Sequence, residues 1–218
     1  MELDVQKMIF EFIGGLGIFL FGIKFMGDGL QKSAGDKLRD ILDRFTTNPF
    51  MGVLAGILVT VLIQSSSGTT VITVGLVSAG FMTLRQAIGV IMGANIGTTV
   101  TAFIIGIDIS SYALPILAVG AILLFFFKSK AVQNFGQIAF GFGMLFFGLE
   151  LMGSGMKPLR SLQQFQDLTV SMSDNPILGV VIGTLFTVIV QSSSATIGIL
   201  QELFGQGAID IQAALPVL

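Results

Sequence analysis

The chain has 218 residues, of which 53% are hydrophobic and only 11% are charged, with a net charge of −2. Soluble domains usually carry about 25% charged residues, so this composition excludes an ordinary water-facing surface and predicts an all-α membrane protein. The absence of cysteine and histidine excludes disulfides, a Ser-His-Asp triad and histidine-ligated zinc. The sequence has no basic cluster of the kind that would indicate nucleic acid as a partner.

The first apolar stretch predicts a membrane-spanning helix over about residues 8–30. It has neither a basic leading segment nor a small-residue cleavage site, so it does not have the pattern of a signal peptide. Residues 31–47 are polar, with apolar side chains at the spacing of one helix face, namely Leu38, Ile41, Leu42 and Phe45. This pattern predicts an amphipathic helix lying at the membrane interface.

Asn48-Pro49 starts the next segment, because proline suits the first turn of a helix. An apolar arm over residues 49–63 is too short to cross a bilayer, and it meets a polar run over 64–70. A second short arm follows over residues 71–81. Two short arms around a polar turn predict a re-entrant hairpin, which enters and leaves the membrane on one side.

Two further spans are predicted, over about residues 87–107 and 112–127. The sequence GANIGTT at Gly93–Thr99 interrupts the first of them. Two glycines flank an amide there, which indicates a helix break whose exposed groups face a cavity. The alternative interpretation is a glycine-rich face that packs against a neighbouring helix.

The chain also repeats itself. Gly17–Leu30 matches Gly143–Met156 at an offset of 126 residues, and Asn48–Thr70 matches Asn175–Ile197 at an offset of 127. In the second pair 13 of 23 positions are identical. Two matched blocks in the same order predict an internal duplication, with a first repeat over 1–134 and a second over 135–218 that is incomplete at its C-terminal end.

The predicted number of crossings sets the relation between the repeats. Three crossings precede the second copy, and three is odd, so the second copy is expected to be inverted. Inverted repeats are typical of secondary transporters, which place the substrate near the midplane. Seven lysines and arginines fall on one predicted side and three on the other. The positive-inside rule therefore predicts that the seven-residue side is cytoplasmic and the N-terminus is outside.

The two polar turns are the main candidates for chemistry. A Gln-Ser-Ser-Ser run between apolar arms offers a helix N-terminus to an anion, and hydroxyls and unwound carbonyls to a hard cation such as Na⁺. The alternative is that these hydroxyls bond back to helix carbonyls. The candidates are Gln64, Ser65, Ser66, Ser67, Gln191, Ser192, Ser193 and Ser194, with Thr69, Thr70, Thr196, Asn95, Thr98 and Thr99 as secondary candidates.

Two charges lie inside predicted membrane-embedded segments. Lys24 and Glu150 occupy equivalent positions of the first matched pair. Charges within a span are functional suspects, and these two are expected to form a buried ion pair. The alternative is that each lies near an interface and extends to water.

At these motifs the chain resembles the type II sodium/phosphate cotransporter family, including its bacterial branch. The resemblance rests on the sequence QSSS at Gln64–Ser67 and Gln191–Ser194 and on GANIGTT at Gly93–Thr99. It implies sodium-coupled symport of inorganic phosphate across the cell membrane by a multi-pass protein. Both QSSS turns would face a shared central site, with sodium as the coupling ion and no further cofactor.

The chain departs from that family at its end. Leu218 aligns with Ile91, so the second counterpart of Asn-Ile-Gly-Thr-Thr is missing. The sequence therefore predicts a fragment of a longer protein, which as a monomer transports poorly unless two copies associate as a homodimer. The alternatives are a phosphate exporter of the same fold and a non-transporting regulatory or scaffold subunit. An enzyme is not expected, since no carboxylate pair accompanies the serines.

Overall fold

The structure is a computed structural model of the chain, and it describes residues 5–35, 41, 48–107, 109–158 and 162–218. All regular structure in these residues is helical, which confirms the predicted all-α class. Within these described ranges, three helices are long and apolar enough to cross a membrane, namely Val5–Ala34, Leu84–Ile105 and Lys130–Met156.

The helices of the first half follow the predicted order. Helix α1 (Val5–Ala34) is longer than the predicted span and includes the start of the predicted interfacial helix, whose remainder lies almost wholly outside the described residues. The two arms of the first hairpin are α2 (Pro49–Ile63) and α3 (Ser66–Ser78). Next come α4 (Leu84–Ile105), a 3₁₀ turn (Ser110–Tyr112), α5 (Ala113–Phe126) and α6 (Lys130–Met156).

The second half repeats the hairpin. Helix α7 (Gln163–Asp174) precedes two arms, α8 (Pro176–Val190) and α9 (Ser193–Gly205). A short α10 (Ile211–Ala214) and a 3₁₀ turn (Leu215–Val217) follow. The axes of α7 and α8 differ by 114° across their junction. A bend of that size fits a separate helix followed by a hairpin arm better than one straight span.

The chain divides into two compact units, and each contains one hairpin. The first-hairpin unit comprises residues 22–107 and 114–143, and the second-hairpin unit comprises residues 1–21, 108–113 and 144–218. Helices α1 and α6 contribute residues to both units. The repeat boundary at residue 134 and the inversion of the repeats stay predictions.

Close packing of α2 against α4 forms the core of the first-hairpin unit. A Cβ atom added at Gly56 would collide with the Val90 carbonyl oxygen, and one added at Gly93 would collide with the Val53 carbonyl oxygen. The predicted break over Gly93–Thr99 is therefore wrong, because α4 runs unbroken through it. The four-residue spacing of the α4 glycines puts them on one face, where the backbone of α2 approaches closely.

The second-hairpin unit repeats this contact at the offset seen in the sequence. Gly183 corresponds to Gly56, and a Cβ there would collide with the carbonyl oxygen of Val217, the counterpart of Val90. The side chain of Asp210 caps α10 as Thr83 caps α4. The duplication read from the sequence therefore extends to tertiary packing inside each unit.

Candidate functional site

The first Gln-Ser-Ser-Ser run forms the break between the two arms of its hairpin. Gln64 ends α2 in the left-handed conformation, with φ 58° and ψ 27°, and its N–H donates to the Thr60 carbonyl oxygen at 2.7 Å. Ser65 is extended, and its Oγ accepts the Gly68 N–H at 3.0 Å as the N-cap of α3. Ser66 and Ser67 then form the first turn of α3.

The second run has the same local geometry. Gln191 ends α8 at φ 57° and ψ 25°, and the Oγ of Ser192 accepts the Ala195 N–H at 3.2 Å. Among the described residues, Gln64 and Gln191 are the only non-glycine residues with positive φ. Such conformations are unfavourable for an L-residue and cluster at ligand sites. Their occurrence at both QSSS motifs singles out the two tips.

The chain turns back on itself at each break. The hydroxyl oxygens of Thr60 and Thr69 lie 2.8 Å apart, although the two residues are nine positions apart. In one continuous helix nine residues would rise about 13.5 Å. The hydroxyls of Thr187 and Thr196 make the same 2.8 Å contact. Both helix–turn–helix hairpins are therefore present, each with its QSSS motif at the tip, and their re-entrant course in a membrane stays a prediction.

The tips place opposite ends of two helix dipoles side by side. The N-terminus of α3 presents the backbone N–H groups of its first turn, which carry partial positive charge and favour an anion. The C-terminus of α2 presents carbonyl oxygens, which favour a cation. Ser65 and Ser66 are half-buried and Ser67 is exposed, so hydroxyls at this tip are accessible. In the other tip Ser193 is exposed while Ser192 and Ser194 are half-buried.

A residue absent from the sequence candidates holds the Gln64 side chain. The hydroxyl of Thr101 on α4 donates to Gln64 Oε1 at 2.9 Å, and Gln64 Nε2 donates to the Val61 carbonyl oxygen at 2.6 Å. A Cβ added at Gly27 of α1 would lie 3.2 Å from Gln64 Cβ. The sequence signal that could have identified Thr101 is its spacing, because it follows Gly93 and Gly97 at four-residue steps on one helix face.

Gln191 has a more open setting. Its Nε2 donates to the Val188 carbonyl oxygen, as Gln64 does to Val61. Its side chain is nevertheless exposed, whereas that of Gln64 is half-buried.

The secondary candidates divide into two groups. Thr69 and Thr196 are buried inside the hairpins, and Thr70 donates to the Ser66 carbonyl oxygen at 2.8 Å. On α4, Thr98 donates to the Ala94 carbonyl oxygen and Thr99 to that of Ile96. Asn95 is exposed on a different face of α4 from Thr101.

The ion pair expected between Lys24 and Glu150 stays a prediction, but neither side chain is buried by the rest of the protein. Lys24 and Glu150 are each exposed, because their helices turn them away from buried neighbours such as Ile23 and Leu149. Among the described residues the salt bridge present is Lys7–Glu11, at 3.7 Å.

Comparison with known proteins supports what the motifs indicate. The sequence profile of the Na⁺/Pi-cotransporter family matches residues 18–154 and 152–218. The chain belongs to the Na⁺/Pi-cotransporter family. This membership confirms the resemblance, and it confirms the expectation of a transporter family rather than an enzyme. No solved structure gives a significant match.

Three relatives illustrate the range of the family. YqeW of Bacillus subtilis (strain 168), an uncharacterised protein, is 30% identical over 97% of this chain and 68% of its own length. YjbB of Escherichia coli (strain K12), whose name refers to inorganic phosphate export, is 26% identical over 95% of this chain but only 38% of its own length. The sodium-dependent phosphate transport protein 2A of Rattus norvegicus is 41% identical over 44% of this chain and 15% of its own length.

Proposed function

We propose that this chain carries out sodium-coupled transport of inorganic phosphate across the cell membrane, with the QSSS tips as its ligand-binding elements. The observation that carries the proposal is the duplicated break, in which a strained glutamine and a serine N-cap join two helix ends. Family membership supplies the substrate class. The rat relative, named as sodium-dependent, supports sodium as the coupling ion.

The chemistry of a tip suits this pair of ligands. The run Gln64–Thr70 contains no arginine or lysine, so an oxyanion is held by neutral donors. These donors are the first-turn N–H groups of α3, the serine hydroxyls and the helix dipole. The carbonyl oxygens at the end of α2 and the Gln64 side chain suit Na⁺. Bound sodium offsets the phosphate charge, which couples the two binding events.

Phosphate binding at fixed sodium tests the site. A hydrogen bond to a charged group contributes about 1.5–3 kcal/mol, or roughly ten- to a hundred-fold in affinity. Ser66→Ala and Ser193→Ala are therefore expected to weaken binding by about that factor. Ser78→Ala is the matched control, since Ser78 is an exposed serine at the opposite end of α3. Unchanged affinity in both tip variants would count decisively against the site.

Export is a second candidate direction, because YjbB is named for phosphate export. The same tips would serve either direction. Vesicles loaded with radiolabelled phosphate distinguish the two, because an exporter releases phosphate from the face that corresponds to the cytoplasm. Binding without flux in either orientation would instead favour a regulatory or scaffold subunit.

A further inference from the structure

Each hairpin contains a chain of hydroxyl groups that links its two arms. In the first hairpin Thr69 Oγ1 donates to the Ser65 carbonyl oxygen at 3.1 Å. A hydroxyl has one proton, so the 2.8 Å contact between Thr60 and Thr69 must have Thr60 as its donor. The order is therefore Thr60 to Thr69 to the Ser65 carbonyl oxygen, from the first arm to the N-cap of the second.

The second hairpin repeats this arrangement atom for atom. Thr196 Oγ1 donates to the Ser192 carbonyl oxygen at 3.3 Å, and Thr187 bonds Thr196 at 2.8 Å. Thr187 lies 127 positions after Thr60, and Thr196 lies 127 after Thr69. Two copies of one bonded chain at one offset are hard to attribute to local packing alone.

Three of these four threonines are buried, and Thr187 is half-buried. Thr60 and Thr69 are 1% and 0% exposed, and Thr196 is 4% exposed. Thr196 also borders an apolar cavity of about 200 Å³ between α7, α8 and α9, lined by side chains such as Met172 and Phe186. A hydrogen bond in such surroundings is stronger than in water, and a broken one leaves a buried polar group without compensation.

We propose that Thr60–Thr69 and Thr187–Thr196 are clasps that fix the Ser65 and Ser192 N-caps, and so set the positions of the exposed serines at each tip. This inference rests on the proposed function and deepens it. Thr60 and Thr187 become positioning residues of the ligand site. Thr69 and Thr196 move from ligand candidates to the same positioning role, because their hydroxyls are already engaged.

The chain contains no cysteine, so a single engineered cysteine can report tip geometry without any ligand. We would introduce Ser67→Cys into the whole chain in liposomes, and measure its reaction rate with a maleimide. Thr60→Val removes the hydroxyl at nearly constant shape, and Thr60→Ser restores it. Thr73→Val is the matched control. Thr73 is also 0% exposed, but its hydroxyl bonds the Thr69 carbonyl oxygen within its own helix, and Leu200 replaces it in the second hairpin.

Thr60→Val is expected to change the labelling rate about ten-fold, the effect of losing one buried hydrogen bond of about 1.4 kcal/mol. Thr60→Ser and Thr73→Val are expected to stay within about two-fold of the parent, the tolerance for changes away from such a bond. Equal rates in Thr60→Val and Thr73→Val would overturn the clasp. The second hairpin supplies an independent pair, Thr187→Val with a reporter at Ser193→Cys, the exposed serine of that tip.

Transport separates positioning from general stability. Thr60→Val is expected to raise the KM for phosphate while leaving the amount of folded protein nearly constant, and Thr60→Ser is expected to recover the KM. If Thr60→Val and Thr187→Val fail to fold while Thr60→Ser and Thr187→Ser fold, the hydroxyls serve the fold as a whole and the positioning role is overturned. If the parent chain moves no phosphate, the proposed function fails, while the labelling rates still decide the clasp.

Discussion

Gln64 affects the stability of the protein in two opposite ways. Its left-handed backbone conformation is unfavourable, whereas its side-chain hydrogen bonds are favourable. Gln64→Ala removes two side-chain hydrogen bonds, to the Val61 carbonyl oxygen and from Thr101, but keeps the unfavourable φ of 58°. Each bond contributes about 0.5–1.5 kcal/mol net, and Thr101 is only 3% exposed. We therefore expect Gln64→Ala to destabilise the protein by about 2 kcal/mol, the middle of that range for two bonds.

Gln64→Gly removes the same bonds but relieves the conformation. A left-handed backbone costs an L-residue about 1–2 kcal/mol, which glycine avoids. Part of this stabilisation is offset because glycine has more conformational freedom in the unfolded chain. Gln64→Gly should therefore be about 1 kcal/mol more stable than Gln64→Ala. Gln191→Ala should also be milder than Gln64→Ala, because Gln191 is exposed.

Unfolding of the purified protein in mixed micelles with increasing dodecyl sulfate measures these differences. Circular dichroism is the appropriate signal, since the chain contains no tryptophan. If Gln64→Ala is as stable as Gln64→Gly, the strained conformation at the tip is refuted. If both are as stable as the parent, the two side-chain bonds contribute nothing.

Three further predictions concern packing, capping and topology. Gly56→Ala should destabilise the protein by about 1–3 kcal/mol, because the added methyl group collides with α4. Gly75→Ala is the control and should be neutral or stabilising, because nothing lies within 4 Å of the added methyl group. Similar unfolding midpoints for the two variants would contradict the packing of α2 against α4. Ser65→Ala should cost about 1 kcal/mol in the same assay through loss of the α3 cap, and no loss would argue against the cap. If the repeats are inverted, Lys128→Cys should react with an impermeant maleimide only from the cytoplasmic side and Lys157→Cys only from outside; labelling from one common side would contradict inversion.

The hairpins could be predicted because their signals are local. Pro49 begins an arm, the arm is too short to span, and a polar run at Gln64–Thr70 ends it. The second copy at Gln191 gave an independent instance of the same pattern. The structure confirms helix, break and helix at both places. Each of these features depends on neighbours within a few residues.

The misread features depend on contacts distant in sequence. A glycine pair such as Gly93 and Gly97 fits both a helix break and a packing face, and only the facing glycines of α2 decide between them. Gly52 and Gly56 carried that signal at the same four-residue spacing. Whether Thr60 bonds its own helix or the opposite arm is also a tertiary question. One usable clue was local, because threonine recurs at position 187, the equivalent of position 60.

The most direct test of the central claim is radiolabelled phosphate flux into liposomes that contain this chain, measured with and without an inward sodium gradient. We expect sodium-dependent phosphate accumulation that Ser66→Ala and Ser193→Ala each reduce and that Ser78→Ala leaves intact. Phosphate flux that is indifferent to sodium, or that survives both tip substitutions unchanged, would contradict it.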